Sequence, residues 1–154
     1  MISESAVVSG DVSIGEGTLL YPLVAVSDST IGEGCVLETR SSLKDSVVDH
    51  AVIICVGATL SSTTVGAFSK IGPGSCLRNS TVGKLCQVGP GVHLENVTLA
   101  DNTIVAMSSG SWSSTVLPAT QLKPLYEENE AYRFAVGSSG SLQFLGKHTS
   151  LRPR

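Results

Sequence analysis

Aromatic and charged residues are scarce in this chain of 154 residues: Phe, Trp and Tyr make up 5% of it, and Asp, Glu, Lys and Arg 15%. The 13 acidic side chains outnumber the 10 basic ones, and the basic ones form no stripe, so we expect no nucleic-acid partner. No apolar run approaches the roughly 18 residues that a membrane-spanning helix needs. No basic segment precedes an apolar one at the N-terminus, as it would in a secretory signal peptide. We therefore expect no membrane span and no secretion signal.

What the chain has in abundance is a repeat of 17 residues. Aliphatic side chains return at this interval in three columns, which lie six, six and five residues apart, so each period describes a turn with three sides. A unit this short cannot bury its own apolar face, and successive turns must stack to share one core; the period predicts an all-β, triangular β-helix of about seven coils. The first column holds Ile14, Ile31, Val48, Val65, Val82, Leu99 and Val116, the second Leu20, Leu37, Ile54, Ile71, Val88, Val105 and Leu122, and the third Val26, Leu43, Leu60, Leu77 and Leu94.

The corners between the sides are marked by residues that accept a left-handed backbone. Glycines stand one or three residues after a column member, as in the segments IGEG at 14 and 31 and IGPG at 71, where we expect a positive φ. A helix would have to carry these glycines in its interior, which is unfavourable. After the third column the corner residue is Asp, Ser or Asn, and Asp and Asn are the side chains that best tolerate this conformation. These corner residues are Asp28, Asp45, Ser62, Asn79 and Asn96.

The cysteines do not pair in this arrangement. Cys35 and Cys86 fall in one inward column but three turns apart, a separation of about 14 Å at the spacing of stacked strands. A disulfide needs Cα atoms within about 7 Å of one another. We expect reduced thiols, packed as small hydrophobic groups as in a cytosolic protein.

The chain divides into a solenoid over residues 1–125 and a C-terminal cap and tail over 126–154. Pro118 and Pro124 interrupt the hydrogen-bond ladder of the last coil, which we expect to be irregular. Residues 126–136 are compatible with a short helix that covers the open end, or with an extended segment that docks on a partner. The remaining residues are rich in Ser and Gly, which is typical of a flexible tail.

Sequence signals for catalysis are few. The chain has no phosphate-binding loop of the Gly-x-x-x-x-Gly-Lys type and no Gly-x-Ser-x-Gly elbow. A catalytic zinc needs convergent imidazoles, but His50 and His93 are 43 residues apart, two turns plus nine residues, and His148 is in the tail. His93, the best candidate for a general base, falls on the outer surface, where a solvated histidine is expected. We therefore predict no catalytic, cofactor-binding or metal-binding residues, and a protein that is not an enzyme.

One outer position suggests a binding surface. Leu19, Val36 and Ile53 occupy the fifth place after a first-column residue on three consecutive turns, where the side chain should point outward. Contiguous exposed aliphatic side chains usually mark an interaction site, so we predict that these three residues bind a protein partner. Two alternatives remain: the inward and outward positions are exchanged in these turns, or the tail folds back over them.

The units IGEGTL, IGEGCV, IGPGSC and VGKLCQ resemble the hexapeptide repeats of left-handed β-helices. Left-handedness is implied by this resemblance and would be an exception to the usual right-handed crossover. The segments SGDVSIGEGTLLYPLVAV, STIGEGCVLETRSSL and VGKLCQVGPGVHLENVTLADNTIVA are similar to the small solenoid subunits at the pointed end of dynactin. That resemblance implies a cytoplasmic, cytoskeleton-associated, non-enzymatic adaptor for microtubule-based transport. Its expected partners are a second β-helix subunit and an actin-related protein, and no cofactor is expected.

A second resemblance leads to a different complex. HLENVTLADNTIV followed by STVLP is similar to the C-terminal solenoid of GDP-mannose pyrophosphorylases and related exchange-factor subunits, which implies a non-catalytic assembly module. A homotrimeric hexapeptide acyltransferase or a carbonic-anhydrase-like enzyme is a third alternative. The adaptor is the function that we predict from the sequence.

Overall fold

A computed structural model of the chain describes residues 1–108, 111–116, 132–136 and 142–147, with side chains through residue 105. Short strands, numbered in chain order, form three sheets. Each turn of the chain adds one strand to each sheet, except that the last two strands of sheet A follow each other directly in the sequence. Sheet A contains β3 (Leu19–Leu20), β6 (Val36–Leu37), β9 (Ile53–Ile54), β12 (Lys70–Ile71), β15 (Gln87–Val88), β18 (Thr103–Ser108) and β19 (Ser111–Val116). Sheet B contains β1 (Val7–Ser9), β4 (Ala25–Ser27), β7 (Ser42–Lys44), β10 (Thr59–Ser61), β13 (Cys76–Arg78) and β16 (His93–Glu95). Sheet C contains β2 (Ser13–Ile14), β5 (Thr30–Ile31), β8 (Val47–Val48), β11 (Thr64–Val65), β14 (Thr81–Val82) and β17 (Thr98–Leu99).

The three sheets make a β-solenoid of about six turns, which confirms the predicted all-β fold. Strands of successive turns pair in parallel, and residues 17 apart face each other, as Leu37 does Ile54 in sheet A and Leu43 does Leu60 in sheet B. The predicted columns form the core, where Leu37, Ile54 and Leu60 have no exposed surface. The seventeen-residue period thus follows from one core-facing side chain per strand and three strands per turn. The last predicted coil extends to residue 122, and residues 117–122 lie outside the described residues. The prediction is wrong for Val116, because Ser111–Val116 is a strand beside β18 in sheet A and not a strand of sheet C.

Small polar side chains complete the inside of the corners. Thr18 Oγ1 donates a hydrogen bond to the Gly32 carbonyl (2.7 Å) and accepts one from the Cys35 amide (3.1 Å). On two sides the buried small residue stands four places after the column aliphatic, as predicted. After the third column it stands three places on, as in Ser46, while Val47 is exposed. The corner that follows sheet B is shorter by one residue, so the next side chain points outward.

The corner conformations confirm the prediction for the Asp, Ser and Asn corners and correct part of the prediction for the glycines. Asp28, Asp45, Ser62, Asn79 and Asn96 all have φ between 47° and 57°, the left-handed region expected for them. Glycines three places after a column member also have positive φ, for example 77° at position 17 and 67° at position 34. For the glycines one place after a column member the expected positive φ is wrong; these glycines instead lie close to the backbone of the next turn. A Cβ on the glycine at position 66 would lie 2.6 Å from the carbonyl carbon of the glycine at position 83 in the next turn.

The C-terminal part contains a separate antiparallel pair, β20 (Tyr132–Val136) and β21 (Leu142–Lys147). The chain divides into two compact units, Met1–Thr115 and Val116–Arg154. Of the two alternatives for 126–136, the helix is wrong for residues 132–136, because their backbone pairs with β21. Residues 126–131, and the predicted boundary at 125, lie outside the described residues. Part of the tail that we expected to be flexible forms β21.

Candidate functional site

The seventeen-residue pattern changes character at one corner between sheets C and A. Two earlier turns carry Gly-Glu-Gly at this corner, at positions 15–17 and 32–34, but the third carries Asp49, His50 and Ala51. The backbone still makes the same turn, since Ala51 has φ 57° and its amide donates to the Glu33 carbonyl at 2.9 Å. Asp49 therefore takes the place of a glycine and His50 that of a glutamate, and the coil keeps its course. Both side chains can accept and donate protons.

Asp49 and His50 form a hydrogen-bonded pair. Asp49 Oδ1 lies 2.8 Å from His50 Nδ1 and accepts a second hydrogen bond, of 2.7 Å, from the His50 amide. An ionised carboxylate only accepts hydrogen bonds, so the bond requires the proton on Nδ1. Neutral His50 consequently presents the lone pair of Nε2. Its side chain is 52% exposed, so Nε2 is accessible to a substrate.

The pKa of the Asp49 carboxyl lies below its usual value. Partial burial acts to raise the pKa, but the hydrogen bonds from the His50 amide and ring outweigh it, together with the electrostatic attraction of His50, when its ring is protonated, and of Lys84. The carboxylate is thus ionised at neutral pH and holds the Nδ1–H tautomer. This is the arrangement in which a carboxylate orients a histidine that acts as a general base.

An aromatic ring from the next turn completes the surroundings of His50. The rings of His50 and Phe68 are perpendicular, at 85°, with centroids 5.0 Å apart. The Phe68 amide also donates to the His50 carbonyl at 3.2 Å. The imidazole is therefore contacted by a carboxylate of its own turn and by a ring of the following one.

His93, the base candidate from the sequence, lies on the outer face of sheet B and is exposed, as predicted. It faces Cys76 on the neighbouring strand β13. An open cavity of about 370 Å³ is lined by Cys76, Arg78, His93, Leu94 and Glu95. The sheet thus separates His93 from His50, and His148 lies outside the described residues. Among the described side chains, no group of three or more His, Cys, Asp and Glu is placed to hold a metal ion.

The three predicted partner-binding residues stack in register on sheet A. Leu19 faces Val36, and Val36 faces Ile53. Their exposure differs from the expectation: Leu19 is half-buried, and Val36 and Ile53 are each 1% exposed. Val36 and Ile53 stand outside the inner core cluster, so the inward and outward positions are not exchanged. That the three residues bind a partner stays a prediction.

The same outer face of sheet A carries a buried carboxyl and a thiol. Glu38 is 5% exposed, and it is hydrogen-bonded to the side chain of Cys55 in the next turn. Burial raises the pKa of the Cys55 thiol to about 12; the Lys70 charge opposes the rise, and the charge and hydrogen bond of Glu38 add to it. Cys55 is therefore neutral and suited to packing rather than to nucleophilic attack.

Further along sheet A, glycines take the places of Glu38 and Cys55, and the face opens into a groove. The groove has a volume of about 210 Å³ and an apolar wall with two long polar side chains, Lys70 and Gln87. It is lined by Lys70, Gly72, Pro73, Gln87, Val88, Gly89, Pro90, Ile104 and Val105. Of the described surfaces, this groove best matches an extended ligand that has an apolar arm and an anionic end, because a lysine is among the residues that line an otherwise mostly apolar wall.

The Asp49–His50 pair was not predicted from the sequence. His50 was considered there only as a zinc ligand, and its neighbour Asp49 was not considered. The available signal was the break in the repeat itself, where VDHA stands in the place of IGEG.

No helix in the described part of the chain is long and apolar enough to cross a membrane.

Comparison with known proteins yields structural matches only. No protein-family model and no curated protein matches the sequence. The chain is similar to the acetyltransferase domain of PglB from Neisseria gonorrhoeae, solved with acetyl coenzyme A, with 29% identity, 74% of this chain and 56% of that one covered, and a TM-score of 0.66. A variant of perosamine N-acetyltransferase from Caulobacter crescentus, solved with CoA and GDP-perosamine, matches with 27% identity over 73% of this chain and 55% of that one, at a TM-score of 0.67. A hexapeptide transferase family protein from Anaplasma phagocytophilum matches with 15% identity over 82% of this chain and 84% of that one, at a TM-score of 0.67.

These matches establish a hexapeptide-repeat, left-handed β-helix as the fold. They also correct the predicted function. The expectation of a non-enzymatic adaptor is wrong, because the structural neighbours are acetyltransferases with CoA bound, which points to an enzyme, and nothing in them supports a link to dynactin. The chain spans about 56% of the length of the PglB domain. A second solenoid or an actin-related protein as partner, and a cytoplasmic location, stay predictions.

Proposed function

We propose that the chain is an acyl-CoA-dependent N-acyltransferase in which Asp49 and His50 act together as the general base. The observation that carries the proposal is the hydrogen-bonded pair with Nε2 left accessible. Its support is the similarity to two acetyltransferases solved with acetyl-CoA or CoA, at 29% and 27% identity over about three quarters of this chain. The fold by itself does not decide the chemistry.

Acetyl-CoA supplies the acetyl group as a thioester, so an attacking amine forms a C–N bond while the C–S bond breaks. His50 Nε2 accepts the proton that the amine nitrogen loses and can return it to the leaving sulfur, which balances the reaction. Asp49 holds the imidazole in the required tautomer and stabilises the imidazolium that forms. General-base catalysis of this kind is worth about 100-fold to 10,000-fold in rate.

We place the acyl carrier in the groove on sheet A. The Lys70 ammonium group is suited to the phosphates of CoA, and the apolar wall with Ile104 to its pantetheine arm. As a first acceptor to test we suggest a nucleotide-linked amino sugar, because the Caulobacter enzyme was solved with GDP-perosamine.

The test is acetyl-CoA-dependent release of CoA in the presence of an amino-sugar nucleotide, followed by chromatography. The wild-type chain is expected to release CoA and to yield the N-acetyl product, and His50→Ala to reduce kcat by about 100-fold or more. His93→Ala is the matched control, since His93 is also an exposed histidine but faces the other side of the solenoid. Equal losses in both variants would contradict the assignment of the base to His50.

A further inference from the structure

Phe68 occupies a corner where an aromatic side chain is unfavourable. The equivalent positions in the first two turns are glycines with φ 77° and 67°, and Phe68 has φ 64°. A positive φ is uncommon for any residue other than glycine and is a genuine outlier for a bulky one. Such conformations persist only where the surroundings impose them, and they cluster at functional sites. The same positive φ occurs at Ala51 and Leu85, in the turns on either side. The coil therefore imposes this conformation, and it is the aromatic ring of Phe68 that distinguishes the corner.

The ring at this corner contacts His50. The two ring planes are perpendicular, with centroids 5.0 Å apart, within the range of favourable edge-to-face pairs. The Asp49 hydrogen bond fixes one nitrogen of the imidazole, but a single bond at a half-exposed side chain leaves the ring free to tilt about it. A second contact from Phe68 restricts that tilt.

We infer that Phe68 is a positioning residue, which holds the His50 imidazole in the plane where Nδ1 donates to Asp49 and Nε2 faces the acceptor amine. The inference deepens the function proposed above and rests on it for its catalytic consequence. Misplacement of a catalytic group by a fraction of an ångström lowers the rate. Phe68 itself takes no part in the proton transfer.

Leu85 provides the matched control. It occupies the same corner one turn further on, with φ 58°, so Leu85→Gly relieves the same backbone conformation one turn away from the Phe68 corner. Phe68→Gly restores the residue that the first two turns use, and Phe68→Leu places there the residue that the next turn already carries. Both variants are therefore compatible with the coil, and Phe68→Leu decides the question should the glycine variant fail to fold.

Activity and the state of the histidine are measured separately. Phe68→Gly and Phe68→Leu are expected to lower kcat by about 10-fold with little change in KM for acetyl-CoA, and Leu85→Gly to leave kcat unchanged. The ¹⁵N chemical shifts of the His50 ring should show the Nδ1–H tautomer in the wild type and in Leu85→Gly. In the Phe68 variants they should move towards the Nε2–H tautomer that predominates in free histidine.

The two readouts separate failure of this inference from failure of the proposed function. A wild type that transfers no acetyl group overturns the proposed function, and the ¹⁵N shifts then still report whether Phe68 orients His50. Phe68 variants that keep both the wild-type tautomer and the wild-type kcat overturn the positioning role.

Discussion

Two serines at equivalent corners should respond oppositely to removal of their hydroxyl groups. Ser75 and Ser41 stand two turns apart behind the second column, and both are buried. Ser75 Oγ donates to the Gly89 carbonyl at 2.8 Å and accepts from the Val92 amide at 3.3 Å. Ser41 Oγ has no hydrogen-bond partner.

The difference has a local cause in the backbone of the turn after Ser41. The carbonyl equivalent to that of Gly89 belongs to Cys55, and it already accepts a hydrogen bond of 3.1 Å from the Ala58 amide. Ala58 is also the residue whose amide would otherwise donate to the Ser41 hydroxyl. The Ala58 amide and the Cys55 carbonyl hydrogen-bond each other, so neither is paired with the Ser41 hydroxyl.

The magnitudes follow from the cost of an unpaired buried group, about 1–3 kcal/mol. Ser75→Ala leaves the Val92 amide without its hydroxyl acceptor, so we expect a loss of about 1–3 kcal/mol in the free energy of unfolding. Ser41→Ala removes an unpaired hydroxyl and places there the side chain that position 58 already has, so we expect no loss or a gain of up to about 1 kcal/mol. Urea unfolding of the two variants beside the wild type measures both values. Equal losses in the two variants would refute this account of the corners.

Three further results are expected. Because burial raises the pKa of Cys55 to about 12, a thiol reagent at pH 8 should label half-buried Cys76 first, and labelling of Cys55 at the same rate would contradict its burial. Gly66→Ala should destabilise the fold much more than Gly57→Ala in thermal unfolding, since a Cβ at Gly66 meets backbone at 2.6 Å while one at Gly57 (φ 70°) meets nothing within 4 Å. The pKa of Asp49 is lowered in the folded state, so its carboxylate stabilises the fold above the ordinary carboxyl pKa, and this contribution is lost as the pH falls through the folded-state value. Asp49→Asn should therefore reduce the loss of unfolding free energy on acidification below about pH 4. The same loss in the variant and the wild type would contradict the Asp49–His50 pair.

The fold was predictable because its information is local and repeated. One aliphatic residue per strand specifies the core, and Asp28 or Asn79 marks a corner without knowledge of any distant residue. The site was not predictable in the same way. Whether His50 meets Phe68 depends on the register of two adjacent turns and on side-chain rotamers, and neither appears in a column of aliphatic residues.

The function was mispredicted for a related reason. The absence of the known catalytic motifs and of convergent histidines led to the prediction that the chain is not an enzyme, although a corner can present a proton acceptor on its own. Asp49 and His50 are neighbours in the sequence, and their geometry follows from the turn that they make. The burial of Val36 and Ile53 could not be predicted for a different reason, because the alternation of a strand tells which face a side chain is on and not how exposed that side chain is.

The most direct test of the Asp49–His50 assignment is a double-variant cycle on acetyl-CoA-dependent product formation, with wild type, Asp49→Asn, His50→Ala and the double variant measured under one set of conditions. A carboxylate that acts only through the imidazole has nothing left to orient once His50 is gone. The account predicts that the double variant is no slower than His50→Ala alone. A wild type without acetyl transfer, or losses that multiply in the double variant, would contradict it.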